Sequence, residues 1–311
     1  MTFFVLMTNR APVALFNYCR PNHSKQVLDA LAENIGAAET RLYLIQDGLK
    51  LESDPKLERD HALVTQLITE FEWPGEKILV IKNENHGLAN SIISGVSDLT
   101  DEYGKVIVLE DDVVPNKYFL SFMNKALEFY EEVSQVGHVS GYMFPIQTKG
   151  LPETFFYNAA TCWGWGTWKR AWEHFEPNAG KLVQQLKERN LRREFNLDGA
   201  YDFFEMLEKN RDGLNDSWAI RWQASLKLMG LLSLHPRLSY TQNIGFDGSG
   251  VHCNETDQFY HERLNDRLYT PDQIHLVENS KARKRMIKYY TSGLSRWNQI
   301  KQKVRNKLIK E

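Results

Sequence analysis

Neither G-x-G-x-x-G nor G-x-x-x-x-G-K-[ST] occurs anywhere in the 311 residues. The two glycine-rich loops that seat a pyrophosphate on a helix N-terminus are missing, which argues against a dinucleotide oxidoreductase and a P-loop enzyme. The turn after the first expected strand, "CRPNHSK" (19–25), also has no glycine, which argues against a sugar nucleotidyltransferase. Cysteine is scarce. Cys19, Cys162 and Cys253 are too few and too scattered for a disulfide framework or a zinc site, so a reducing cytoplasm is the expected setting. No stretch approaches the ~18 consecutive apolar residues that a spanning helix needs. The opening segment "MTFFVLMTNRAPVALFNYCRP" is split by Arg10 and Pro12, with no basic leader and no small-residue cleavage pattern; it does not read as a secretory signal. Internal repeats and low-complexity tracts are also absent.

What is present suits a soluble folded chain: 42% hydrophobic and 25% charged residues, with length for one large or two modest domains. The charge is unevenly placed. Residues 281–311 hold 11 Lys and Arg against one acid, Glu311, a surplus of +10; the net −2 of the chain therefore leaves −12 for residues 1–280. An acidic body argues against a nucleic-acid partner, and a basic end argues for an anionic one. In that end Ile287, Tyr290, Leu294, Trp297, Ile300, Val304 and Leu308 recur at three- and four-residue steps between basic residues. This is the pattern of a helix lying on an anionic membrane face. The same stripe docked on the domain is the alternative.

Along the chain, strand-like and helix-like segments alternate. "PVALFNY" (12–18), "RLYLIQDG" (41–48), "KILVIKN" (77–83) and "VIVL" (106–109) read as strands. Helical spacing fills the intervals at 23–34, 56–71 and 88–99. Alternation of this kind builds βαβ units with right-handed crossovers and a mostly parallel sheet. Residues 1–112 are thus expected to form a Rossmann-like half. Beyond residue 115 the pattern becomes irregular and aromatic: a helix at 116–132, a strand at 136–144, "TCWGWGTWKRAW" (161–172), two polar helical stretches over 178–211, "NDSWAIRWQASLKLMG" (215–230), and a strand-like then glycine-rich run over 231–252.

The segment "KVIVLEDDVVP" (105–115) runs a doubly buried strand into Glu110, Asp111 and Asp112 before Pro115 ends the ladder. Ligands of open α/β sheets collect outside the carboxyl ends of strands. Three acids at such a point suit a divalent cation that also binds phosphate oxygens; a solvated loop start is the alternative. Period-two geometry places Glu110 and Asp112 on one side of the extended chain and Asp111 on the other. Trp163, Trp165 and Trp168 cluster around two glycines, and aromatic faces suit sugar rings, although core packing explains them equally. "GFDGSG" (245–250) reads as a mobile loop.

Five blocks in order, "PVALFNYCRP", "IQDG", "LEDDVVPN", "NDSWAIRW" and "HPRLSYTQNIGFDGSG", resemble glycosyltransferases of the GT-A fold. The resemblance is closest to the N-acetylglucosaminyltransferase I group and to bacterial sugar transferases of surface-polysaccharide assembly. It implies Mn²⁺ or Mg²⁺ bound through Asp112, ribose at Asp111 and donor sugar at Glu110. It also implies Arg20 facing the nucleotide and Asp47 accepting from the base. His86, just before a helix, is a further donor contact, though a plain helix start reads the same. The glycine loop, with Gly248, Gly250 and His252, would close over the donor. Asp216 matches the catalytic base, with Ser217 intervening before Trp218; a helix N-cap is its structural alternative. Trp163, Trp165 and Trp218 are the expected sugar or acceptor contacts.

The expectation is therefore an α/β, GT-A protein: a catalytic domain over 1–270, divided into a nucleotide-sugar half (1–112) and an acceptor half (113–270), and a basic amphipathic tail over 271–311. The expected activity is inverting transfer of a hexosyl or N-acetylhexosaminyl group from a nucleotide-sugar, a UDP-sugar first, to a glycan or lipid-linked acceptor hydroxyl. A cytoplasmic place follows, peripheral on the inner face of the cell membrane if the tail binds it. A non-catalytic carbohydrate-binding or scaffold protein, or a nucleotidyltransferase, is the rival reading.

Overall fold

The computed structural model describes residues 10–247, 259–270, 272 and 274–292. The first half follows the expected alternation: β1 (Val13–Asn17), α1 (Pro21–Ala32), β2 (Leu42–Gln46), α2 (Pro55–Glu70), β3 (Lys77–Ile81), α3 (Leu88–Tyr103) and β4 (Lys105–Glu110). After a short β5 (Val113–Pro115) come α4 (Phe119–Phe129), β6 (Val136–Ser140), β7 (Thr154–Tyr157) and β8 (Trp165–Trp168). The helices α5 (Lys169–Trp172), α6 (Ala179–Glu188), α7 (Arg192–Phe195), α8 (Phe203–Arg211) and α9 (Trp218–Met229) lead to β9 (Leu232–Pro236) and β10 (Thr241–Asn243). A last helix, α10, covers 280–292 of the described residues.

Eight strands form one sheet in the order β3-β2-β1-β4-β8-β6-β9-β7. The first four are parallel, β6 and β9 are parallel to each other, and β8 runs antiparallel to both β4 and β6. This is the expected α/β class, a Rossmann-like half joined to a second half. β1, β2 and β4 are apolar because helices cover both faces, whereas β3, at the end of the sheet, leaves Leu79, Val80 and Ile81 exposed. On one face Val13, Leu15, Ile107 and Leu109 pack with Val27, Leu28 and Leu31 of α1. On the other, Ala14, Phe16, Val106 and Val108 meet Ile92 and Val96 of α3 and the indoles of α9. The chain leaves β1 first toward β2 and β3 and then returns to its other side at β4. That reversal opens a crevice at the carboxyl ends of β1 and β4.

The boundary expected at residue 270 moves. Ala282 and Met286 of α10 are fully buried against Met143, Leu151, Phe155 and Tyr157 of the second half, with Ile287 and Tyr290 packed beside them. Arg283 pairs with Glu278 at 3.2 Å and Asp198 at 3.1 Å, and Arg285 donates to the carbonyls of Gln147 and Lys149. Residues 281–292 are thus part of the domain, and the docked alternative holds for the Ile287 and Tyr290 portion of the stripe. Leu294, Trp297, Ile300, Val304 and Leu308 lie outside the described residues.

On β6 and β9 themselves, two histidines, His138 and His235, are buried as neutral rings. His138 donates through Nε2 to the Thr161 carbonyl (3.2 Å) and accepts the Trp222 indole N–H at Nδ1 (3.2 Å). His235 donates through Nε2 to the Ala159 carbonyl (2.9 Å). Burial depresses His138 to about 3 and His235 to about 4. A second proton on His138 would confront the indole N–H. Because the folded state resists protonation and the unfolded state accepts it below about 6.5, stability is full above that value and is lost as pH falls. Each ring is expected to remove about 2 kcal/mol between about pH 7.5 and pH 5. Urea unfolding across that range checks this; in His138→Phe the pH slope should drop by about one proton.

Candidate active site

The crevice at the carboxyl ends of β1 and β4 receives the residue after one strand and the acids after the other. Phe16 of β1 lies opposite Glu110 of β4. Arg20 follows β1 and precedes α1, whose first turn is opened by Pro21. β4 ends at Glu110, and Asp111 and Asp112 form a turn before β5. The expected two-sided disposition is therefore overturned. With the chain turned, Asp111 and Asp112 converge on the same guanidinium: Arg20 forms an ion pair with Asp111 and another with Asp112 at 3.0 Å.

Three carboxyl groups share this edge with one guanidinium. Burial raises Glu110 to about 8, with repulsion from Asp112 and Asp111 adding to it. Burial also raises Asp111, against the opposing pull of Arg20. Flanking acids keep Arg20 firmly protonated despite its burial. The donor set is all oxygen with excess negative charge, which fits Mg²⁺ or Mn²⁺. Among the described residues no three His, Cys, Asp or Glu side chains converge to hold a metal on their own. Asp112 would thus be a protein ligand in a shell completed by phosphate and water, as these ions accept.

A wall from the second half closes the acid turn. β10 pairs with β5, and the Ile244 N–H donates to the Asp112 carbonyl at 2.9 Å. A Cβ on Gly245 would lie 2.2 Å from Asp112 Oδ2, so only glycine fits against the carboxylate. Next along, Asp247 pairs with His23 Nε2 of α1 at 3.1 Å. Gly245 and His23 were missed in the sequence; Gly245 lay in the glycine run, which signalled a loop but not a wall. Gly248, Gly250 and His252 lie outside the described residues.

Asp47 departs from its expected role. The residue is buried, and its carboxylate accepts from Asn85 Nδ2 (3.0 Å) and from the amides of His86 (3.1 Å) and Gly87 (2.8 Å). It pins the loop that enters α3 and has little capacity left for a base. The same bonds take up the His86 and Gly87 amides, while His86 itself, expected as a donor contact, is exposed. Gly48 is needed because a Cβ there would strike the Glu84 backbone at 2.3 Å.

Most of the tryptophans are core. Trp165 and Trp218 are 0% and 4% exposed and stack on each other with centroids 5.3 Å apart, which removes both as surface contacts for sugar. Trp168 and Trp172 are buried too, their indole N–H groups bound to the Leu127 carbonyl and Ser97 Oγ. Trp163 is half-buried, and the edges of Tyr142, Phe246 and Phe259 surround it.

The stack on Trp165 places Asp216. Trp165 lies opposite Val108, two residues before Glu110, whereas Leu226 near the other end of α9 touches Gly137 at the start of β6. Helix α9 therefore begins at the sheet edge that carries the acid turn. Ser217, not Asp216, caps it, accepting the Ile220 N–H at 3.3 Å, so the cap reading of Asp216 is excluded. Asp216 is largely exposed and pairs with Arg221 Nη2 at 3.0 Å. Arg221 was visible in "AIRW" but carried no signal, because a five-residue separation is not a helical neighbour pair.

No family model and no curated protein matches the chain. Among solved structures it is similar to the mannosyltransferase PcManGT from Pyrobaculum calidifontis in complex with GDP-Man and Mn²⁺, at 10% identity and a TM-score of 0.38, over 72% of this chain and 70% of that one. It is also similar to the crystal structure of S. aureus TarS, at 16% identity and a TM-score of 0.31 over 47% of this chain, spanning 24% of the TarS chain.

Proposed function

We propose that the protein is a metal-dependent, inverting glycosyltransferase using a nucleotide-sugar, acting in assembly of a surface polysaccharide. The observation that carries this is the crevice between β1 and β4, where one guanidinium pairs with two of three consecutive carboxyl groups, with α9 and the exposed Asp216 beginning at the same end of the sheet. Asp112 would hold Mn²⁺ or Mg²⁺, which when bound supplies positive charge to the departing diphosphate. Arg20 keeps Asp111 and Asp112 oriented, with Asp111 toward the ribose and Glu110 toward the donor sugar. Asp216 accepts the proton of the acceptor hydroxyl as its oxygen bonds to the anomeric carbon, and the bond from that carbon to the diphosphate breaks on the opposite side. The products are the extended acceptor and a nucleoside diphosphate. Gly245 and the β10 wall exclude water from the metal side.

Asp112→Ala is expected to lose at least about tenfold in nucleoside diphosphate affinity with Mn²⁺ present, and to keep its melting temperature. Calorimetric titration checks it, and unchanged affinity would remove the metal assignment. Asp216→Asn keeps the side-chain shape but cannot take a proton. It should lower kcat at least about 100-fold with donor affinity unchanged. Near-normal turnover would place the base elsewhere.

The basic end is proposed to meet an anionic membrane surface. Support comes from composition alone, since Lys281, Arg283 and Arg285 already bind the domain. Sedimentation with anionic vesicles tests it: the chain shortened after residue 292 should lose binding that the full chain has, and equal binding would sink the idea.

A further inference from the structure

Asp216 borders a cleft of about 500 Å³, a size typical of small-ligand sites. The first turn of α6 forms one wall, the end of α8 and the turn after it form the other, and Arg221 lies between them. Arg221 is only 8% exposed. Its Nε donates to the Ser217 carbonyl (3.3 Å), Nη1 to the Pro177 carbonyl (3.2 Å) and Nη2 to Asp216 (3.0 Å). A guanidinium has five N–H donors, so two have no partner among the described residues. As Arg221 lines the cleft, these N–H groups are open to water in the free protein and available to an acceptor oxygen of a ligand.

The rest of the lining narrows what brings that oxygen. Arg221 is balanced by Asp216, and Arg211 is bound to Asp212 at 2.7 Å, so the cleft presents no surplus of either sign. Asn178 and Asn210 add amide groups. Leu214 is the one large apolar side chain in the lining, and it is 73% exposed. Hydrocarbon would find no apolar wall to pack on, whereas hydroxyl groups would find amides and a guanidinium.

We propose that this cleft is the acceptor subsite and that it takes the terminal one or two rings of an uncharged saccharide. The ring lies on Arg221 and presents a hydroxyl to Asp216 on the rim. This assignment rests on reading Asp216 as the base. It replaces the buried tryptophans as the acceptor contact, and it makes Arg221 both a binding residue and the group that orients Asp216.

Gly180 offers a way to fill the cleft. A Cβ there would project between Asn178 Oδ1 (3.1 Å) and Arg211 Cγ (3.8 Å), and the backbone is ordinary helix. The full chain, with Mn²⁺ and a panel of nucleotide-sugars, is assayed in two ways. Acceptor-free release of nucleoside diphosphate reports the donor site. Transfer to uncharged gluco-, manno- and N-acetylglucosamine oligosaccharides reports the cleft. Gly180→Phe should leave acceptor-free release within about twofold and lower saccharide kcat/KM by more than about tenfold, while Gly180→Ala stays near wild type. Arg221→Lys, which keeps the charge but not the fork, should raise the saccharide KM without moving donor affinity, and it serves if Gly180→Phe does not fold. Undiminished transfer by Gly180→Phe or by Arg221→Lys overturns the assignment. So does a wild-type enzyme that releases nucleoside diphosphate yet transfers to none of these saccharides. Failure to bind or consume any donor would instead overturn the transferase reading itself.

Discussion

The contact between Arg20 and the paired Asp111 and Asp112 organises the site, because three consecutive carboxyl groups cannot occupy a half-buried strand end without a cation among them. Strand order supplies that cation. The chain reverses direction across the sheet between β1 and β4, so the residue that leaves β1 lies beside the turn that leaves β4. One guanidinium then orients two carboxylates. The single guanidinium does not balance all three carboxyl groups: Glu110 is raised first by its burial and then by repulsion from Asp112 and Asp111. An edge left negative in this way is prepared for a further cation.

The second half has grown around that edge rather than apart from it. β8 enters antiparallel against β4 and carries Trp165 to the level of Val108. Trp165 seats Trp218, which fixes where α9 begins and so where Asp216 stands. On the other side, β10 adds to β5 and brings Gly245 against Asp112. The aromatic residues thus act on the site through position, as a rigid spacer between two acid-bearing chain ends, and not as a surface.

The Rossmann-like half was legible because its strands are apolar runs of five or six residues and its helices are regular; β1 to β4 and α1 to α3 lie where the pattern puts them. The candidate site was legible as a set of residues and poorly legible as geometry. Period-two reasoning failed at Asp111 because it assumes an extended chain, and the chain turns there. Asp47 carries the same signal whether its carboxylate faces a base or the amides of His86 and Gly87. The tryptophans carry the same signal in a core or on a platform. Ile287 and Tyr290 likewise make one stripe that suits a lipid surface or the domain they pack against. In each case the side chain's chemistry was readable and its partner was not, because the partner is distant in sequence.

Helix α10 carries that distance furthest. Arg285 binds the carbonyl of Gln147 across 138 residues, and Ala282 and Met286 complete a core begun at Met143. The first half is different: β1 to β2 and β2 to β3 are each joined by a single crossover helix, and only the pairing of β4 with β1 spans a long stretch of chain. Loop-closure entropy is therefore met early in most of the first half and late in the second. As the chain leaves the ribosome, the Rossmann-like half has all its strands by residue 110, while the opposite edge of the sheet waits for its final helix. During synthesis, completion of the Rossmann-like strands and closure of the far side of the sheet are thus separated in time.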